Sequence, residues 1–224
     1  MIVTIDGPAG AGKSTVARRL ARRLGFQYLD TGAMYRAVAL AGIRRGVDWD
    51  RPEQLARVAR SARIEVMGER VLLEGQDVSD AIRSAEVTAV SRFAADNPEI
   101  REYLVKLQRQ AAADRNVVTE GRDQGTVVFP DAECKVFLTA SPLERARRRL
   151  RDFHERGEPA TLEGVLKEIT RRDRRDASRP VGPLVPAPDA IHVSTDGLSI
   201  DQVVERLEKL VRDRLPSAGQ AGSA

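Results

Sequence analysis

The sequence predicts an α/β fold, a parallel sheet covered by helices on both faces with a small antiparallel insertion at its side. Three observations carry this. Ile2-Val3-Thr4-Ile5 is a short β-rich run ending at Asp6-Gly7, after which Val16, Ala17, Leu20, Ala21 and Leu24 recur at helical spacing. Further short apolar runs at Gln27-Tyr28-Leu29, Val117-Val118-Thr119, Lys135-Val136-Phe137-Leu138 and Ile191-His192-Val193 are separated by helical stretches, the pattern of parallel strands buried on both sides. Ile64-Glu65-Val66 and Val71-Leu72-Leu73 flank Gly68-Glu69, with another short run following, which reads as an antiparallel meander over about 63–78.

The remaining elements follow in order. A helical pattern from Glu86 to Ala113 returns the chain to the sheet, with an interruption expected at Asn97-Pro98, because proline has no N–H to donate within a helix. Ser141-Pro142-Leu143-Glu144 and Ser199-Ile200-Asp201-Gln202 both read as capping boxes. The last helix continues through Val203, Val204, Leu207, Leu210 and Val211, and the small polar stretch from Pro216 to Ala224 is expected to be a disordered tail.

Composition narrows the classes. With 224 residues, 42% hydrophobic, the chain buries a full core. The N-terminus has neither a basic segment nor a long apolar stretch, and no run approaches the ~18 apolar residues of a membrane span, so no membrane association is expected. A single cysteine, Cys134, excludes an intramolecular disulfide framework and points to a reducing compartment, hence a cytoplasmic location. The net charge of +4 leaves nucleic acid and small phosphorylated molecules open as partners. Only 4% of residues are aromatic, which favours phosphate handling in a pocket over a base-stacking nucleic-acid groove.

Gly7-Pro8-Ala9-Gly10-Ala11-Gly12-Lys13-Ser14 fits G-x-x-x-x-G-K-[ST] between a strand and a helix, the context that separates a phosphate-binding loop from a chance match. Glycines let backbone N–H groups turn inward, and the helix N-terminus adds positive potential. Lys13 is expected to reach the β and γ phosphates of ATP, Ser14 to offer its hydroxyl to Mg²⁺, and Thr15 to complete the loop. The chain has no Asn-Lys-x-Asp guanine-reading motif, so a small-molecule phosphotransferase leads.

Three clusters bear on the acceptor: Asp30-Thr31-Gly32-Ala33-Met34-Tyr35-Arg36, then Glu120-Gly121-Arg122-Asp123-Gln124-Gly125-Thr126, then Arg172-Asp173-Arg174-Arg175-Asp176 with Arg179. With the phosphate loop, and with Val127-Val128-Phe129-Pro130-Asp131-Ala132 and Pro183-Leu184-Val185-Pro186, they resemble the bacterial cytidylate kinases over nearly the whole chain. The resemblance implies a nucleoside monophosphate kinase fold: a five-stranded parallel core of the P-loop type (1–36 and 107–224), an inserted acceptor-binding region (37–106) and a mobile lid (about 150–165). It implies ATP-dependent phosphorylation of CMP and dCMP in pyrimidine metabolism by a monomer that binds no nucleic acid. Carried over position by position, it places Thr31, Arg36, Ser91, Arg101, Arg122, Asp123, Arg172, Asp176 and Arg179 around the monophosphate. Thr31 stands where the family commonly has Ser, Gln124 where an apolar residue is usual, and the stretch from Ser91 to Arg101 is one residue longer than the usual spacing.

The chemistry of the residue types agrees. A monophosphate needs fixed guanidinium groups with bidentate geometry, which suits Arg36, Arg122 and Arg179. Cytosine presents an amino donor at N4 beside acceptors at N3 and O2, and Asp123 with Arg101 and Ser91 supplies the complement. Asp176 and Arg172 remain for the sugar. From the residues alone, Arg36 also fits a solvated helix face, Asp123 a local turn contact, and Ser91 a hydroxyl bonded to its own helix. Arg145, Arg148 and Arg149 share a helix face by i, i+3 and i+4 spacing ahead of a Gly157-containing stretch, and are expected to clamp the phosphates as the lid closes. A plain solvated charged face is the competing reading for each. A kinase for another monophosphate, and a non-enzymatic P-loop switch, are the rival functions.

Overall fold

The structure is a computed structural model that describes residues 1–215; the tail expected over 216–224 lies outside them. Five strands, β1 (Ile2–Asp6), β2 (Gln27–Asp30), β6 (Val117–Gly121), β7 (Cys134–Thr139) and β8 (Ile191–Ser194), form a parallel sheet in the order β2-β6-β1-β7-β8. All five are the strands read from the sequence. The chain crosses from one side of β1 to the other between β6 and β7. In an open parallel sheet such a switch leaves a crevice at the strands' carboxyl ends, the usual place for a ligand.

Helices α1 (Lys13–Leu24) and α8 (Ile200–Arg212) pack together and bury Val16, Leu20, Val203, Leu207 and Val211 with Val3, Ile5, Val136 and Leu138 of the sheet. Burying one such leucine contributes about 1.5–3 kcal/mol before entropy is counted. A separate core lies under α2 (Thr31–Arg44), α3 (Pro52–Ser61), α4 (Ala85–Ala95) and α5 (Pro98–Ala112), together with the meander β3 (Ile64–Met67), β4 (Arg70–Leu73) and β5 (Gln76–Asp77). The expected boundaries at 36/37 and 106/107 fall inside α2 and α5, so both helices run unbroken across them. A further small cluster, Ala146, Val165 and Ile169, joins α6 (Pro142–Glu155) to α7 (Leu162–Ala177), whose facing ends fall within the expected lid.

The helix breaks have local causes. Asn97 Oδ1 accepts from the N–H groups of Glu99 and Ile100 at 3.0 and 3.2 Å, and Pro98 follows at the first helical position, so the pattern from Glu86 to Ala113 splits there into α4 and α5. Ser199 and Gln202 form the expected reciprocal capping box. The box expected at Ser141 is only half made. Ser141 Oγ accepts from the Glu144 N–H, but the Ser141 N–H is taken by the Asp196 carboxylate at 3.0 Å and Glu144 is engaged by Arg148. A single π-helical turn at Gln124–Val128 has no sequence signature; Arg109 satisfies its end by donating to the carbonyls of Val127 and Val128. Cys134 is buried, and burial raises its thiol pKa. Among the described residues no helix is long and apolar enough to cross a membrane.

Candidate functional site

The loop after β1 turns on glycines, for want of room at one end and because of backbone conformation at the other. A Cβ on Gly7 would stand 2.0 Å from the carbonyl oxygen of Leu138, and Gly12 starts α1 with φ of 89°, a left-handed conformation disfavoured for other residues. Lys13 is buried, donating from Nζ to the Pro8 carbonyl at 2.8 Å. Burial and the neighbouring positive Arg122 bring its pKa down to about 7. Ser14 Oγ donates to Glu120 Oε1 at 2.8 Å.

The loop after β6 is anchored by Asp6, whose two oxygens accept from the Gln124 and Gly125 N–H groups at 2.9 and 2.8 Å. That brace presents Arg122 and Asp123 at the carboxyl edge of the sheet. Asp123 is buried against Arg101 from α5, with Arg101 Nη2 donating to its Oδ2. Burial raises its pKa against the pull of Arg101, Arg179 and Arg122. Arg122 Nε donates to Asp176 Oδ2 at 2.9 Å, and Arg179 Nη2 to Asp176 Oδ1 at 2.8 Å. Burial works to raise Asp176, but Arg122 and Arg179 outweigh it and its pKa is lowered. Arg172 stands 4.0 Å from Asp176, and burial followed by Arg122 lowers its pKa to about 10. At the edge of β2, Asp30 caps α2 through the Ala33 N–H and pairs with Arg36 at 3.3 Å, while Thr31 Oγ1 donates to the Glu120 carbonyl at 2.7 Å.

One cleft of about 740 Å³ collects these side chains. Thr31, Arg36, Ser91, Arg101, Arg122, Asp123, Arg172, Asp176 and Arg179 all line it, together with Ala9, Gly10, Lys13 and Ser14 of the loop. Ser91 spends its hydroxyl on the Thr88 carbonyl at 2.9 Å, within its own helix.

The three arginines on this face of α6 do not share one set of partners. Arg149 lines the cleft, paired with Glu168 at 3.3 Å. Arg145 is buried behind the phosphate loop, donating to the carbonyls of Ala9 and Ala140 at 3.0 Å and pairing with Asp173. Arg148 turns to Thr195, donating to its hydroxyl and carbonyl at 2.9 Å, and does not line the cleft. Helical spacing put the three on one face; long side chains then diverged to whichever acceptors lay nearby.

Sequence reasoning missed Tyr35, Arg92, Glu120, Arg171 and Arg175, which also line the cleft. The signal for three of them was present. Glu120 opens the Gly121-Arg122-Asp123 cluster, and Arg171 and Arg175 sit four residues apart within the arginine-rich motif. The Arg101 guanidinium lies 5.7 Å over the Tyr35 ring, whose hydroxyl is pushed by burial to about 12.

The family model described as cytidylate kinase matches residues 3–213. The chain is 52% identical over 224 residues to a cytidylate kinase of Rhodopirellula baltica, covering all of this chain and 97% of that one. It is 47% identical over 216 residues to a cytidylate kinase of Desulfitobacterium hafniense, covering 95% and 93%. Among solved structures, a shikimate kinase from Bacteroides thetaiotaomicron shares the fold with a TM-score of 0.50 at 18% identity, covering 95% of this chain and 98% of that one.

Proposed function

The chain belongs to the cytidylate kinase family, and from that membership we propose how its cleft transfers the terminal phosphate of ATP to CMP or dCMP, giving ADP with CDP or dCDP. One observation supports the acceptor assignment most: the Arg101–Asp123 pair and the guanidinium groups of Arg36, Arg122 and Arg179 share a cleft with Lys13 and Ser14.

Backbone N–H groups of 9–14 and the Lys13 ammonium hold the donor phosphates, with Thr15 in the first turn of α1. Arg36, Arg122 and Arg179 neutralise the acceptor phosphate. Asp123 accepts from the N4 amine of cytosine, and Arg101 and Ser91, after its hydroxyl rotates, donate to N3 and O2. Uracil would set a carbonyl against the Asp123 carboxylate, at a cost of about 1–3 kcal/mol. Arg172 and Asp176 address the sugar.

An oxygen of the acceptor phosphate forms a bond to the γ phosphorus as the bond from that phosphorus to the β–γ bridging oxygen breaks, and the electron pair leaves with ADP. The attacking oxygen is already ionised, so no general base is required. Arg149, with Arg171 and Arg175 on α7, brings positive charge to the transferring group. Arg145 shapes the loop through the Ala9 carbonyl. Ser14 and Glu120 offer hard oxygen ligands at the helix N-terminus and fit Mg²⁺, which would neutralise charge between the phosphates. Closure of the lid at about 150–165 over the acceptor region 37–106 and the core (1–36 and 107–224) excludes water, so ATP hydrolysis without acceptor is slow. The enzyme acts in the cytoplasm as a monomer on free nucleotides; its arginines are largely engaged in ion pairs rather than displayed as a nucleic-acid surface.

A coupled assay with ATP across CMP, dCMP, UMP and AMP tests the assignment. CMP and dCMP are expected to be turned over with the highest kcat/KM, and equal rates with AMP would overturn it.

A further inference from the structure

The junction between α4 and α5 does more than turn the chain. Ala95 and Asp96 each hold an arginine that lines the cleft, one from the start of α5 and one from beyond α7. The Ala95 carbonyl accepts from Arg101 Nη1 at 3.3 Å, and Asp96 Oδ1 accepts from Arg179 Nε at 2.8 Å. Asp96 itself is not part of the cleft wall, and its carboxylate is partly exposed to solvent.

Arg179 is thereby fixed at two points. Its Nε is spent on Asp96 and its Nη2 on Asp176 Oδ1, both at 2.8 Å, while Nη1 has no protein partner among the described residues. The side chain is only 9% exposed and lines the cleft. A planar guanidinium held by carboxylates on Nε and Nη2 has no remaining freedom to rotate, so the direction of its free edge is set by those two anions. Without Asp96 the buried Nε would lose its acceptor. The group would then gain most by swinging onto Asp176 with two nitrogens, taking Nη1 with it.

We propose that Asp96 is a positioning residue for the acceptor phosphate: it holds Arg179 so that Nη1 is presented to the cleft. This rests on the assignment of Arg179 to the monophosphate. It also gives the extra residue between Ser91 and Arg101 a consequence, since the junction it lengthens is the one that supplies this carboxylate.

Asp96→Asn keeps the shape and removes the charge. The junction does not depend on that charge: the α5 cap is Asn97, and the tie of Asp96 to α4 is its backbone N–H to the Arg92 carbonyl at 2.9 Å. Asp96→Ala, which keeps the same backbone contacts, is the second variant. Binding of CMP and of cytidine, which lacks the phosphate, is measured by calorimetry for the parent, Asp96→Asn, Asp96→Ala, Arg179→Met and Asp96→Asn/Arg179→Met. The expected result is that both Asp96 variants weaken CMP about tenfold, leave cytidine and the KM for ATP unaltered, and that the double variant binds CMP no worse than Arg179→Met. Equal weakening of CMP and cytidine would mean a merely structural role and overturn the proposal. So would Arg179→Met weakening CMP while both Asp96 variants bind it as the parent does. If Arg179→Met itself leaves CMP binding unaltered, the assignment of Arg179 to the phosphate fails and the positioning role falls with it.

Discussion

Ser14 donates its hydroxyl to Glu120 Oε1 across 2.8 Å, joining the first turn of α1 to the end of β6. The contact links the glycine-rich loop to the strand that leads into Arg122 and Asp123, the residues proposed to meet the acceptor. In the proposed mechanism these two oxygens would hold Mg²⁺, in a cleft where arginines outnumber carboxylates. Glu120→Gln is therefore expected to raise the Mg²⁺ concentration giving half-maximal activity by roughly 10–100-fold. A metal titration at saturating nucleotides checks this, with protein folding followed separately by circular dichroism.

Asp123→Ala removes the one carboxylate paired with Arg101 among the described residues and leaves that buried guanidinium without it. The KM for CMP is expected to rise steeply while ATP binding is retained. Preference for CMP over UMP falls by about 1–3 kcal/mol in kcat/KM, because uracil no longer meets an opposing carboxylate. Steady-state kinetics with both acceptors reads this.

Lys13, held near 7 by burial and by Arg122, is largely neutral at pH 8.5 in the empty cleft. The phosphates of ATP favour its ammonium form, so binding takes up a proton. Apparent ATP affinity is expected to fall as pH rises from 7 to 9. Calorimetry in buffers of different ionisation enthalpy measures the uptake directly, and Lys13→Met removes it. Because the unfolded lysine titrates near 10.5 and the folded one near 7, this group alone makes the fold more stable as pH rises through that window.

Arg148 and Arg149 are adjacent in sequence and differ in what they touch. Arg149→Ala is expected to lower kcat by ~10²-fold, as removal of a transition-state donor does. Arg148→Ala leaves kcat near that of the parent and lowers thermal stability, because it cuts the ties of α6 to Thr195 and Glu144. Parallel kinetics and melting curves separate the two.

Leu207→Ala opens a cavity where α8 meets α1 and the sheet, and is expected to destabilise the fold by about 2–5 kcal/mol, measured by denaturant unfolding.

The five core strands, the split of the long helical pattern at Asn97-Pro98 and the phosphate loop were all legible in the sequence because each is written in local terms: apolar runs, a proline, glycines at fixed offsets. The nine residues that the motif resemblance assigns to the acceptor all line the cleft, which gathers them from α2, α4, α5, the loop after β6, α7 and the turn after it. The reciprocal cap at Ser141 was misread, since Asp196, 55 residues away, competes for its N–H. The divergence of Arg145, Arg148 and Arg149 was invisible for the same reason. Their partners, Asp173, Thr195 and Glu168, lie on other elements, and helical spacing gives direction only as far as Cβ.

The sequence by itself determined the order of the elements, the phosphate-binding loop and the kinds of residue that line the cleft, because backbone preference and motif chemistry act between near neighbours. Only the tertiary structure decided which arginines face the cleft and which are anchored behind it. A guanidinium at the end of a long flexible chain settles against the nearest carboxylate or carbonyl, and those acceptors reach it from distant parts of the chain, as Asp96 reaches Arg179.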